Sequence, residues 1–149
     1  MKQSGGFTMV ELVMVLVIVG IMAAVVAPRF TDTNVFQARG FADQVQASLR
    51  YAQKTAIAQR RFVCVAFTGN SISLEIGATN LCGTPLISVF TGVAYVITAP
   101  AGTTFTSVPT AFNFNALGAP SLANNQIINI TNVTNGITIE AGTGYVHSP

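Results

Sequence analysis

The sequence predicts an α+β fold: a long N-terminal helix, membrane-spanning in its first half, packed on a C-terminal antiparallel β-sheet domain. Three observations carry this. Between Phe7 and Ala27 the only ionisable side chain is Glu11, and an apolar run extends from Leu12 to Ala27. Phe41, Val45, Leu49, Ala52 and Ala56 then recur at helical spacing, one stripe of an amphipathic helix. After Arg61 the apolar period falls from 3.6 to 2, with turn residues between the runs.

The N-terminal element comes first. A helix over Phe7–Ala27 rises about 30 Å, enough to cross a bilayer core. Lys2 precedes it with no acid beside it, which favours a cytoplasmic N-terminus, although Arg29 on the far side weakens that bias. A carboxylate costs roughly 2.5–3.5 kcal/mol at a membrane centre and less near the edge, so Glu11 asks for a partner. A chain cut after Gly6 would begin at Phe7 with an amine of the right sign. That amine points away from a side chain one turn along the same helix, so the fitting partner is the amine of a neighbouring copy. Two blander readings compete. A secretory signal would use Lys2 as its basic start and Val25-Val26-Ala27 as its cleavage site, but the apolar run exceeds the 7–15 residues such signals need. A simple membrane anchor explains the length and leaves Glu11 unexplained.

Gly6-Phe7-Thr8-Met9-Val10-Glu11-Leu12 resembles the processing site of type IV pilins and of the pseudopilins of type II secretion systems. The resemblance implies that residues 1–6 are a prepilin leader. A prepilin peptidase and N-methyltransferase would cut between Gly6 and Phe7 and methylate Phe7. Glu11 would be the assembly carboxylate and Pro28 the helix bend. It further implies a single-pass protein of the bacterial inner membrane, N-terminus cytoplasmic and head periplasmic, held in lipid before assembly. An inner-membrane pilus or secretion platform would then draw it among other pilin subunits into a helical filament, pilus or pseudopilus.

Residues 7–28 are thus expected as the transmembrane and assembly helix, 29–61 as the amphipathic half of the same helix, and 62–149 as a periplasmic β-rich head. Asp43, Gln46, Arg50, Gln53, Lys54 and Arg60 sit mostly off the apolar stripe. A helix continuous from Thr8 to about Gln59 would be roughly 75–80 Å long.

The β half starts with Phe62–Thr68 and Ser71–Ile76, joined at Gly69-Asn70 as a hairpin. Leu86–Thr98 reads as one or two strands, with Gly92 as a bulge or turn. Shorter candidates are Ala111–Phe114, Ile127–Thr131, Ile137–Glu140 and Tyr145–His147, and the helical stripe is expected to cover one sheet face.

Leu49–Ala56 followed by Val63-Cys64-Val65 is similar to the helix-to-strand passage of GspH/FimT-type minor pilins. Phe112–Gly118 and Gly142–Val146 resemble that subgroup too, and the whole is most similar to minor pilins of mannose-sensitive haemagglutinin (MSHA) pili. This implies a low-abundance subunit of a filament tip or initiation complex, with adhesion among its roles; the alternative is an H-type pseudopilin of a type II secretion machine.

Charged residues make up 8% of the chain, and from Phe62 to Pro149 the only formal charges are Glu75 and Glu140. Cys64 and Cys82 read as a disulfide in a periplasmic domain, worth roughly 3 kcal/mol; the competing reading is a buried thiol and a loop thiol. The sequence offers no catalytic order of residues, no metal-ligand spacing and no cofactor motif, and His147 reads as a surface residue at a strand end. Arg50, Lys54, Arg60 and Arg61 form a basic strip that could contact DNA phosphates, as in a DNA-uptake receptor pilin. The ordinary role of such residues is to face a helix C-terminus.

Overall fold

A computed structural model of the chain describes residues 6–26, 33–89 and 91–148. The chain divides into two compact units, residues 1–33 and 34–149. In the first, α1 spans Met9–Val26. Thr8 caps it: the Leu12 N–H donates to the Thr8 carbonyl at 3.1 Å and the Glu11 N–H to Thr8 Oγ1 at 3.3 Å. Thr8 with Glu11 three residues on is the sequence signature of a capping box. The apolar side chains from Phe7 to Met22 are exposed on every side of the helix. Among the described residues no helix is long and apolar enough to cross a membrane. The 18 residues of α1 rise about 27 Å, against a hydrocarbon core of about 30 Å. The bend expected at Pro28, and the leader up to residue 5, lie outside the described residues.

In the second unit α2 spans Thr33–Gln59. All five stripe residues are buried, and Ala38, Ala42, Ser48 and Thr55 widen the buried face. Gln59 is followed by Arg60 at φ +50°. The Arg60 N–H donates to the Ile57 carbonyl at 3.3 Å and the Arg61 N–H to the Ala56 carbonyl at 3.2 Å. Those two bonds make a Schellman ending, with arginine in the place usually held by glycine.

Among the described residues eight short strands follow: β1 Phe62–Phe67, β2 Ser71–Gly77, β3 Thr84–Pro85, β4 Val96–Thr98, β5 Phe112–Phe114, β6 Gln126–Ile128, β7 Ile137–Ile139 and β8 Val146–His147. β1 and β2 form the expected hairpin, with Phe67 opposite Ile72 and Phe62 opposite Gly77. The expected antiparallel β domain is present, and among the described residues its strands fall into two sheets. β3-β2-β1-β5, with β4 also on β2, make the larger, and β6-β7-β8 the smaller. The division comes from β5. Its outer edge is taken by the returning chain, with Ser121 N–H on the Asn113 carbonyl and Asn115 N–H on the Ala119 carbonyl, so β6 begins a new sheet. Val63, Val65, Ile72, Leu74, Phe112 and Phe114 of the larger sheet share one core with the α2 stripe and with Ile128, Ile137, Ile139 and Val146 of the smaller.

Leu86–Thr98 holds the expected strand and the expected turn at Gly92, with a hairpin between β3 and β4 in addition. Leu86 and Tyr95 both bond to Leu74, so β3 and β4 occupy successive stretches of the β2 edge. Between them the chain leaves the sheet as a small hairpin, bridged at Ile87 and Ala94, that turns at Gly92 with φ +69°. Its apolar residues Ile87, Val89 and Val93 are exposed.

Candidate assembly site and head contacts

Gly6, Phe7 and Thr8 precede the helix, non-helical and exposed. A peptide bond between Gly6 and Phe7 therefore lies in accessible, unwound chain, the form a protease needs. Glu11 follows in the first turn of α1 and is exposed. Among the described residues no hydrogen bond or ion pair engages its carboxylate. An acidic side chain in the first turn of a helix suits the partial positive charge of the helix N-terminus.

Cys64 and Cys82 are joined in a disulfide, with Cα atoms 6.1 Å apart. It ties β1 to the loop after β2. Cys82 itself is left-handed, at φ +47°. A Cβ on Gly77, at the end of β2, would stand 2.5 Å from the Cys82 Cα, so this close return requires glycine.

The basic strip does not stand as four free cations. Arg50 Nε donates to the Val146 carbonyl at 3.0 Å, fastening β8 to α2. Arg60 forms the helix ending. Lys54 and Arg61 are exposed. Tyr51, the aromatic among them, stacks on Tyr95 at 5.3 Å, and Tyr95 reaches the buried Ser48 hydroxyl at 3.4 Å. His147 lies 3.6 Å from Glu140 and stacks on Tyr145 at 5.1 Å.

Sequence reasoning passed over Gln53. Its Nε2 donates to the Gly118 and Thr143 carbonyls, at 3.0 Å each. Gly144, at φ +71°, lets the second loop come that close: a Cβ there would stand 2.4 Å from the Gly118 oxygen. Three segments separate in the sequence, Leu49–Ala56, Phe112–Gly118 and Gly142–Val146, thus meet at one amide.

The sequence matches the family described as type II transport protein GspH over residues 42–145. The chain belongs to the GspH family. Residues 1–27 match the prokaryotic N-terminal methylation motif, and the two together make the chain a GspH/FimT-like protein of the type IV pilin and pseudopilin superfamily. Two crystal structures of the type IV minor pilin FimU of Pseudomonas aeruginosa strain PAO1 share the fold. One has a TM-score of 0.56 at 19% identity, covering 74% of this chain and 91% of that one. The other has 0.57 at 19%, covering 80% and 92%. No curated protein matches the sequence. Membership of the GspH family makes this a minor pilin or pseudopilin, a structural subunit of a type IV pilus or a type II secretion system. Prepilin-peptidase processing and packing among pilin subunits are implied by the family. The GspH match takes in the α2 face, the disulfide and the Gln53 junction; the methylation motif takes in α1 and Glu11.

Proposed function

We propose that the chain is a minor pilin of an MSHA-like type IV pilus, held in the inner membrane by Phe7–Ala27, cut after Gly6 and methylated at Phe7. Glu11 then pairs with the amine of an adjacent subunit's Phe7, and the apolar side chains of α1 exchange lipid for one another in the filament core. The subunit works in filament initiation or at the tip, where the nearly uncharged head meets a surface. The observation that carries this reading is α1 itself: apolar and exposed all round, with one exposed, unpaired carboxylate in its first turn. A helix of that kind is completed by membrane or by an assembly.

One experiment tests the first step: the intact mass and N-terminal sequence of the protein from its own cells. The expected result is a chain starting at Phe7 and heavier by one methyl group. A start at Pro28 or Arg29 would mean an exported protein with an ordinary signal, and the role of Glu11 would fall.

The second reading, an H-type pseudopilin of a type II secretion system, is favoured by the description of the family that matches residues 42–145. In it the same helix builds a short periplasmic piston. Recovery of the protein in sheared surface pili supports the pilus; its absence there, with a secretion defect on deletion, supports the pseudopilus.

A further inference from the structure

Among the described residues, nothing is laid against the outer side of β4. The Leu74 N–H donates to the Tyr95 carbonyl at 3.1 Å and the Ala99 N–H to the Asn70 carbonyl at 2.7 Å. The Tyr95 carbonyl and the backbone groups of Ile97 and Ala99 therefore turn to β2, while the Tyr95 N–H donates to the Leu86 carbonyl at 2.7 Å. The alternation of an antiparallel strand turns those of Val96 and Thr98 outward.

Most of the other edges are stopped by the chain itself, although Ile127 of β6 also faces outward with no bond on that side among the described residues. On β3 the outward residue is Pro85, which has no N–H to offer. On β5 Asn113 and Asn115 bond to Ser121 and Ala119. Past β6, Asn129 and Thr131 bond to Thr106 and Thr104. On β8 the Val146 carbonyl takes Arg50 Nε. Exposed edges are ordinarily defended by charge, proline or a bulge. β4 itself has no charge and no bulge: Val96 and Thr98 are exposed, no charged side chain occurs between Glu75 and Glu140, and proline comes only at Pro100, the next outward position, which limits the open edge to Val96 and Thr98. A trough of about 530 Å³ beside it is lined by Val96 and Ile97 of β4, by the adjacent hairpin and by Gln44 of α2.

We propose that this edge pairs with the β4 edge of a second copy of the chain. A neutral edge gives a charged strand no counter-charge, so an uncharged strand fits it, and Tyr95–Ala99 is one. The edge is also complementary to itself. With a two-fold axis through Ile97, Val96 faces the partner's Thr98 and Thr98 faces the partner's Val96. Both pairs then exchange hydrogen bonds, and the two larger sheets become one. The exposed Ile87, Val89 and Val93 of the adjacent hairpin add apolar surface beside the seam. The pairing goes beyond the filament reading and does not depend on it.

The test uses full-length chains, one carrying Val96→Cys and the other Thr98→Cys, differently tagged, co-expressed and oxidised in the membrane. A hydrogen-bonded antiparallel pair has Cα atoms about 5.5 Å apart, within disulfide reach. Identical positions would be offset diagonally by about 7–8 Å, beyond good reach. The expected result is a cross-linked dimer bearing both tags, about tenfold more abundant than either self-linked dimer. No mixed dimer, or self-linked dimers in equal amount, overturns the register. Both positions are exposed, and mass analysis checks that Cys64–Cys82 stays intact. In the unsubstituted chain, exchange at the Val96 and Thr98 amides should slow by about tenfold or more as concentration rises; rates independent of concentration overturn the pairing.

Discussion

The side-chain amide of Gln53 donates to the carbonyl of Gly118, 65 residues further on, at 3.0 Å. Its other donation, to Thr143, brings a second loop to the same point on α2. Helix, larger sheet and C-terminal strand are pinned together by one polar group instead of by apolar contact alone. Gln53→Ala should lower stability by about 1–3 kcal/mol, the ordinary worth of two such bonds, one part-buried and one exposed. Gln53→Glu keeps the length of the side chain but turns a carboxylate on two carbonyls, and should destabilise at least as much. Thermal unfolding followed by circular dichroism measures both; unchanged midpoints would remove Gln53 from the architecture.

Arg60 holds the left-handed position of a Schellman ending that glycine fills without strain. Arg60→Gly should therefore stabilise the head by about 0.5–1 kcal/mol, even after the glycine's greater freedom in the unfolded chain is counted. Arg60→Ala relieves nothing at the backbone and should not stabilise. Urea unfolding of the two variants separates a conformational effect from the loss of a surface cation. If both gain equally, the charge was the cause.

The disulfide and Gly77 form one unit, since the loop that carries Cys82 crosses directly over Gly77. Replacing both cysteines with serine should cost roughly 3 kcal/mol through the freed unfolded chain. Gly77→Ala should push the loop outward and destabilise by about 1–3 kcal/mol with the disulfide still formed. In the cysteine-free background the same alanine should cost less, because the loop is free to move away. Additive losses in the double-mutant cycle would mean that glycine and disulfide act separately.

Much of this was legible because the signals were periodic. Phe41, Val45, Leu49, Ala52 and Ala56 are all buried as their spacing predicts, and the Gly69-Asn70 turn sits where its residues say. Leu86–Thr98 was legible in outline, with a strand at Val96–Thr98 and a turn at Gly92, but its residues do not say that Ile87–Ala94 leaves the sheet as a hairpin of its own. The two sheets were hidden because the division depends on which chain closes the β5 edge, a long-range hydrogen-bond choice. In the sequence Gln53 reads only as a polar residue off the stripe. Spacing along a helix shows that a side chain points away from the core, but not that two distant loops come to meet it. Arg50 was read as a charge, and its bond to Val146 is likewise invisible until β8 is placed.

Glu11 admits two physical roles, and one pair of substitutions separates them. As an acid in the first turn of α1, behind the Thr8 cap, it helps start the helix. As an unpaired carboxylate on an apolar helix, it can meet the positive amine of another subunit. Glu11→Gln keeps the size and polarity of the side chain and removes the charge, so a helix-starting role survives largely intact. A charge-pairing role does not. Glu11→Val removes both. The expected outcome is that both variants are cut after Gly6, remain in the membrane fraction, and are depleted at least about tenfold from assembled filaments, since a missing charge pair near a low-dielectric core costs more than 1.4 kcal/mol. Mass spectrometry of sheared filaments against membranes reads this directly. Normal incorporation of the Gln variant would leave Glu11 as a helix-start residue, and subunit order would have to come from the apolar surface of α1 alone.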